Sequence, residues 1–167
     1  MKLELVGHDY KYVVEQSLLA LFPQERPVYG SVDRERDRRW AVVSIAEQGD
    51  ACAVTAELGW DGRRGRFTQS LTLAGDDFAR EGARRRCLGM AFFRAAREAA
   101  GIAPPWGSLT GIRPAKVAAE LLGQGLTPEA AGQVLEDTYF VTPQRRRLCL
   151  DAALAAEKAD QGRTDRD

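Results

Sequence analysis

Three β-rich runs that follow one another closely constrain the fold of this chain more than any other feature. They span Trp40 to Ala46, Ala51 to Leu58 and Phe67 to Leu73. The segments Gln48-Gly49-Asp50 and Gly59-Trp60-Asp61-Gly62 lie between them. Short connections that contain Gly and Asp favour antiparallel hairpins. The pattern therefore predicts a mainly antiparallel sheet, which needs a helical layer to cover one face.

The first part of the chain supplies further elements of an α+β unit. Alternation of apolar and polar residues from Lys2 to Leu5 predicts a short strand, and Val28-Tyr29 predicts another. Apolar residues recur at spacings of three and four from Tyr10 to Phe22, which indicates an amphipathic helix that stops at Pro23. The expected sheet therefore has four to five strands.

A long helix follows the three β-rich runs. Asp76-Asp77 is expected to cap its start, and Gly101 is a favoured residue just past its end at Ala100. One face of this helix is apolar, so it should lie on the sheet. We expect Arg80 and Arg84, near its start, to overhang the sheet edge and remain in water. The apolar stripe consists of Cys87, Leu88, Ala91, Phe92, Ala95 and Ala99.

From Ile102 onward the β-rich runs disappear and three short helices are expected. Pro114 suits a first helical position, and the pairs Thr127-Pro128 and Thr142-Pro143 each combine a capping hydroxyl with a fixed φ. We assign an α+β domain to residues 1–101, a three-helix subdomain to 102–160 and a polar tail or linker to 161–167. The expected helices span Ala115 to Leu122, Pro128 to Asp137 and Pro143 to Asp160.

Composition narrows the classes of function. With 24 Lys+Arg and 24 Asp+Glu the chain is not a generally basic protein, so binding to nucleic acid is not expected. Cys52, Cys87 and Cys149 are too far apart in sequence to form a metal clip, and they suggest a reducing, cytoplasmic setting. No apolar run is long enough to span a membrane. The single histidine, His8, is expected to be a capping or surface residue, and no catalytic motif is present.

Arginines in the middle of the chain form the one notable charge pattern. Arg63, Arg64 and Arg66 lie on the way into a strand, and Arg84-Arg85-Arg86 lie on the long helix. This pattern is typical of a solvated face. It also leaves open a free-standing α+β module that binds nucleic acid or protein through these arginines.

The segment from Pro104 to Lys116 has the most specific local pattern. Gly107 and Gly111 permit positive φ, and Arg113 is held extended by the proline that follows it. Free amides at a helix start, together with Arg113 and Lys116, would form an anion or substrate site. In the alternative interpretation Arg113 is a structural pin, and Trp106, Leu109 and Ile112 fill an interdomain joint.

At this segment the chain resembles a known family. The matching residues have the pattern W-G-x-L-T-G-I-R-P-x-K: Trp106, Gly107, Leu109, Thr110, Gly111, Ile112, Arg113, Pro114 and Lys116. They are similar to the N-terminal region of oxygen-independent coproporphyrinogen III oxidase-like radical SAM proteins, the coproporphyrinogen dehydrogenase type of Gram-positive bacteria. The resemblance implies a non-catalytic accessory domain that packs on its own C-terminal radical SAM barrel in an enzyme of porphyrin and haem biosynthesis.

The resemblance also implies where the cofactors lie. The family's barrel opens with Cys-x-x-x-Cys-x-x-Cys, which holds a [4Fe-4S] cluster that binds S-adenosylmethionine. Residues 1–167 lack that motif. We therefore expect no catalytic residue, metal or cofactor in this chain, and both cofactors in a full-length parent. Porphyrinogen carboxylates are the expected ligands of Arg113 and Lys116.

Overall fold

The structure is a computed structural model that describes residues 1–110 and 113–164, with the backbone alone described from 160 to 164. It divides the chain into two compact parts. We call Met1–Ile102 the α+β unit and Ala103–Asp167 the helical unit. No helix in the described ranges combines the length and apolar character that crossing a bilayer requires.

The α+β unit contains five strands and two helices. The strands form one sheet in the order β2-β1-β3-β4-β5. In chain order the elements are β1 (Lys2–Val6), α1 (Lys11–Leu21), β2 (Val28–Tyr29), β3 (Arg39–Gln48), β4 (Ala51–Trp60), β5 (Arg63–Thr72) and α2 (Asp77–Ala100).

The sheet confirms the expected α+β class but is mixed rather than mainly antiparallel. β3, β4 and β5 form an antiparallel meander, whereas β1 runs parallel to both β2 and β3. Lys2 of β1 pairs with Val28 on one side and with Trp40 on the other. The first strand is thus inserted between two later ones. Local sequence patterns do not encode this long-range pairing, which explains the incorrect expectation.

Two tight turns fix the register of the meander. Asp61 and Gly62 both have positive φ, 46° and 90°, as a two-residue type I′ turn requires. The turn closes on the pair Trp60 and Arg63, so β5 begins at Arg63 rather than at Phe67. Gly49, with φ 61°, occupies the first turn position between β3 and β4.

One hydrophobic core joins the sheet to both helices. Leu3, Val43, Val54 and Leu58 contribute from the strands, and Leu18 contributes from α1. All six residues of the expected stripe on α2 are buried. Asp76 caps α2 by accepting from the Ala79 amide, and Gly101 ends it with φ 68°, as expected.

The helical unit contains a 3-10 turn (Gly107–Leu109) followed by α3 (Pro114–Gly123), α4 (Pro128–Asp137) and α5 (Pro143–Thr164). The Thr127 hydroxyl caps α4 by accepting from the Ala130 amide at 3.2 Å. Helix α5 continues past its expected end at Asp160 into the segment assigned as a tail, and residues 165–167 lie outside the described part. The core of the unit consists of Leu109, Ala118, Leu135, Val141, Cys149 and Ala153.

Gly65 marks the closest approach of α2 to the sheet. A Cβ atom added at Gly65 would lie 2.2 Å from the Ala95 carbonyl oxygen and 2.6 Å from the Ala99 amide nitrogen. Because both neighbours are backbone atoms of a helix, they cannot move aside as a flexible side chain would. The absence of a side chain at this position therefore sets the distance between α2 and β5.

We predict that Gly65→Ala lowers the free energy of unfolding of the α+β unit by on the order of 2 kcal/mol, because the new methyl group forces α2 away from β5. Gly89→Ala is the matched control on α2. Its Cβ would meet nothing closer than the Ser17 hydroxyl at 3.9 Å, so higher helix propensity should leave stability equal or improved. Urea denaturation followed by circular dichroism measures both. Equal stability of the two variants would contradict the close-approach argument.

Candidate functional site

The first half of the Trp106–Lys116 motif braces the helical unit. Gly107 has φ 56° and is buried, and a Cβ added there would lie 1.9 Å from the Tyr139 carbonyl oxygen. Leu109 is 2% exposed and packs with Leu135 and Val141 in the core of this unit. The glycine is therefore required both for its backbone conformation and for the lack of a side chain.

Hydrogen bonds fasten this loop to the segment between α4 and α5. The Tyr139 carbonyl oxygen accepts from the Ser108 amide at 2.8 Å and from the Ser108 hydroxyl at 3.3 Å. The Pro105 carbonyl oxygen accepts from the Thr142 amide and from the Thr142 hydroxyl, each at 3.1 Å. The Thr110 hydroxyl donates to the Gly107 carbonyl oxygen at 2.8 Å. The hydroxyl of Thr142, expected to cap α5, thus donates back to the loop.

Trp106 lies half-buried against the same core. The guanidinium group of Arg145, on α5, is 5.2 Å from the centre of its ring, within the range of a cation–π contact. The aromatic residue of the motif therefore has a structural partner inside its own unit.

The second half of the motif presents its two basic residues at the start of α3. Arg113 has an extended backbone, precedes the first helical residue Pro114, and has an exposed side chain. Lys116 is 71% exposed and lies 3.9 Å from the Glu120 carboxylate, a weak contact at the surface. Both cations lie on the first turn of one helix, as expected from the sequence. Gly111 and Ile112 lie outside the described residues.

A second candidate site, not expected from the sequence, is a cleft of about 450 Å³ where β1 ends and α1 begins. The carboxyl ends of parallel strands are a common location for ligands in α/β sheets. Tyr10 and Glu81, which meet here, are far apart in sequence, so no local signal marks them. The cleft is lined by Gly7, His8, Asp9, Tyr10, Ile45, Glu47, Glu81 and Arg84.

His8 is held by backbone groups on both ring nitrogens. Its Nδ1 accepts from the Tyr10 amide at 3.1 Å, and its Nε2 is 3.0 Å from the Val43 carbonyl oxygen, to which it donates. These partners require the neutral ring with the proton on Nε2. Burial lowers the pKa of His8, in keeping with that form. His8 thus connects the turn before α1 to β3.

Charged groups in the cleft neutralise one another. The Arg84 guanidinium group bonds both oxygens of Glu47, at 2.6 and 3.1 Å, which lowers the pKa of that carboxyl group. The Tyr10 hydroxyl donates to Glu81 at 2.5 Å, and that bond lowers the pKa of Glu81. Burial together with the Glu81 carboxylate raises the pKa of Tyr10 to about 12. These pairs make Glu47, Glu81 and Arg84 fold contacts that connect Tyr10, α2 and β3.

The expectation that Arg80 and Arg84 remain in water is wrong. Their side chains are 24% and 19% exposed, and they pair with Asp50 and Glu47 at the end of the β3–β4 hairpin. Sequence periodicity placed them correctly on the sheet-facing stripe but did not show that carboxylates lie opposite.

Three more arginines of the middle stretch, Arg63, Arg64 and Arg85, also have local partners. Arg85 pairs with Glu81 at 2.9 Å, Arg63 donates to the Glu98 carbonyl oxygen at 3.3 Å, and Arg64 donates to the Arg34 carbonyl oxygen at 3.1 Å. Arg64 also lies 5.9 Å from the ring of Trp40. These contacts reduce the positive charge that the stretch can offer to phosphate groups.

The cysteines do not fit a [4Fe-4S] cluster. Cys52 and Cys87 are buried in the core of the α+β unit, and Cys149 is buried in the core of the helical unit. Burial raises the pKa of all three thiols, which disfavours the thiolate form that binds metal. Within residues 1–110 and 113–159, whose side chains the structure describes, no three His, Cys, Asp or Glu side chains are grouped to hold a metal ion.

Comparisons with known proteins add little to this description. No protein-family model and no curated protein matches the sequence. Among solved structures, protein VC0702 from Vibrio cholerae is 14% identical, and the match covers 80% of this chain and 89% of that chain with a TM-score of 0.32. A likeness this weak carries no argument about fold or function.

We predict that Gly107→Ala destabilises the helical unit by about 2–3 kcal/mol, since it combines a positive-φ position with a clash against the backbone at Tyr139. Gly123→Ala, in open space on α3, should raise stability by about 0.5–1 kcal/mol through helix propensity. Thermal unfolding of both variants separates a required glycine from a tolerated one. A Gly107→Ala variant as stable as the wild type would refute the bracing role.

The lowered pKa of His8 predicts that the stability of the fold depends on pH. Because the pKa of His8 is lower in the folded than in the unfolded chain, the unfolded chain binds the proton more readily. We predict that this contribution to stability is present above the unfolded value of about 6.5 and is lost as the pH falls through the folded pKa. Urea titrations from pH 7.5 to about 5.5 should show this decline in the wild type and a flatter profile in His8→Gln. Identical profiles would contradict it.

Proposed function

We propose that this chain is a non-catalytic N-terminal accessory domain of a coproporphyrinogen dehydrogenase-like radical SAM enzyme of porphyrin biosynthesis. The observation that carries the proposal is the motif from Trp106 to Lys116. Its first half has a structural role, and its second half presents two exposed basic side chains. Residues up to Thr110 hold the helical unit together, whereas Arg113 and Lys116 project outward.

Arg113 and Lys116 suit the recognition of carboxylates. The amides of the first turn of a helix carry partial positive charge, and both side chains add full charges at the same end of α3. Arg113 can bond a carboxylate through two parallel N–H groups. In the proposed function these residues bind propionate side chains of a porphyrinogen while the parent's barrel performs the reaction.

In this proposal the catalytic reaction takes place in the radical SAM barrel of the full-length parent enzyme. A [4Fe-4S] cluster with S-adenosylmethionine supplies a radical that removes hydrogen from the substrate, and the thiols of this chain are not suited to hold that cluster. The contribution of this chain is to bind and orient. Cytoplasmic location and packing on the parent's own C-terminal barrel are parts of the same proposal.

Coproporphyrin III, the fluorescent oxidised form of the expected substrate, tests the carboxylate contact. We predict saturable binding by the wild type. Arg113→Ala combined with Lys116→Ala should weaken it at least about tenfold, because a hydrogen bond to a charged group contributes roughly 1.5–3 kcal/mol. The control is Arg147→Ala with Lys158→Ala, which removes the same charge from exposed positions on α5. Equal losses in both variants, or no binding by the wild type, would refute the carboxylate site.

The accessory role has its own test in the coding sequence that follows Asp167. A continuation that encodes Cys-x-x-x-Cys-x-x-Cys supports the proposal. A stop codon or an unrelated domain at that point contradicts it and favours the free-standing binding module instead.

A further inference from the structure

We propose that the free edge of β5 binds an extended, acidic segment of a partner protein, which adds a sixth strand to the sheet. This inference concerns an interaction surface of the α+β unit. It does not depend on the function proposed above, because the motif on which that function rests lies in the helical unit.

The geometry of the hairpin decides which backbone groups face the edge. In the part of the chain that the structure describes, β5 is the last strand of the sheet and pairs only with β4. Since the turn closes on Trp60 and Arg63, the backbone of Arg63 faces β4, and that of every second residue from Arg64 faces outward. The Arg66 amide shows this direction, because it donates to the Glu98 carboxylate on α2 at 2.9 Å.

Beyond Arg66 the edge is open. In the described ranges no hydrogen bond occupies the outward backbone groups of Thr68 and Ser70, whereas Glu98 covers that of Arg66. Proteins commonly protect edge strands with proline, charged residues or bulges. The six residues Phe67–Thr72 contain no proline and no charged residue, and their register with β4 is continuous. The open stretch therefore offers a regular hydrogen-bonding template.

Side chains on both faces of this stretch suit an added strand. Thr68, Ser70 and Thr72 lie exposed on the outer face, and Phe67 and Leu71 lie half-buried on the helical face. A strand that pairs here would place alternate side chains against hydroxyl groups and against apolar groups.

Charge selects the occupant. Arg64 and Arg66 are exposed on the outer face at one end of β5. On the helical face the Arg94 guanidinium group lies 4.6 Å from the ring of Phe67. Arg66 on the outer face and Arg94 on the helical face thus flank the edge, whereas Arg64 lies over the Trp40 ring and donates to the Arg34 carbonyl oxygen. An acidic segment that pairs here supplies the opposite charge to these arginines.

Fluorescence anisotropy with two labelled peptides tests the proposal on the whole chain. One peptide alternates valine with glutamate, and the other alternates valine with lysine. We expect the chain to bind the glutamate peptide, with affinity that falls as salt is added, and to bind the lysine peptide at least about tenfold more weakly. Arg64→Gln with Arg66→Gln should reduce binding of the glutamate peptide by about fivefold.

Ser70→Pro with Ser70→Ala separates strand pairing from simple charge attraction. Because the Ser70 amide faces outward, proline removes a donor to the partner while the hydrogen bonds to β4 remain. We expect Ser70→Pro to lose at least about tenfold in affinity and Ser70→Ala to stay within about twofold. Equal binding by both variants, equal binding of both peptides, or self-association without peptide binding would overturn the proposal.

Amide hydrogen exchange in the wild type covers the case in which Ser70→Pro fails to fold. The glutamate peptide should slow exchange at Thr68 and Ser70 but not at Gln69, whose amide already faces β4. Unchanged exchange at Thr68 and Ser70 with saturating peptide would overturn the proposal as well.

Discussion

The close approach of α2 to β5 is the constraint on which the α+β unit depends. At Gly65 the backbone of the strand lies against the backbone of the helix around Ala95 and Ala99. The helix has small alanine side chains at this contact, and the strand has no side chain at Gly65. This combination lets a helix of 24 residues lie along two neighbouring strands. Larger residues of α2, such as Leu88 and Phe92, lie in the same core as Leu18 of α1. The same contact brings Glu98 to the edge of β5, so it also decides which part of that edge is covered.

The helical unit, like the α+β unit, depends on a glycine that packs directly against backbone atoms. Two of its helices, α3 and α4, are short at 10 residues each, and one of its contacts is again a glycine against backbone, Gly107 against Tyr139. The loop around Gly107 bonds the connection between α4 and α5 at both Ser108 and Thr142. A segment that resembles a family motif therefore has a full structural role in its first half. In its second half, the described residues Arg113 and Lys116 have exposed side chains.

Several charged side chains of α2 form ion pairs with nearby carboxylates. Arg80 and Arg84 face carboxylates on the β3–β4 hairpin, and Arg85 faces Glu81 on its own helix. Such pairs hold surface elements in register, although each contributes little energy where it is exposed. They also reduce the positive charge that the arginine-rich stretch can offer to phosphate groups. Arg113 and Lys116 differ: their side chains are exposed, and among the described residues the ion pair found for either of them is the weak contact of Lys116 with Glu120.

The sequence by itself determined the features that neighbouring residues control. Helix α2 with its cap at Asp76 and its end at Gly101, the cap at Thr127 and the two hairpin turns follow from period, capping chemistry and permitted φ. Tertiary structure alone decided that β1 lies between β2 and β3, that Tyr10 meets Glu81 and that Gly107 meets Tyr139. These contacts join residues far apart in the chain. Their free energy depends on the packing of the whole core, and no local pattern carries it.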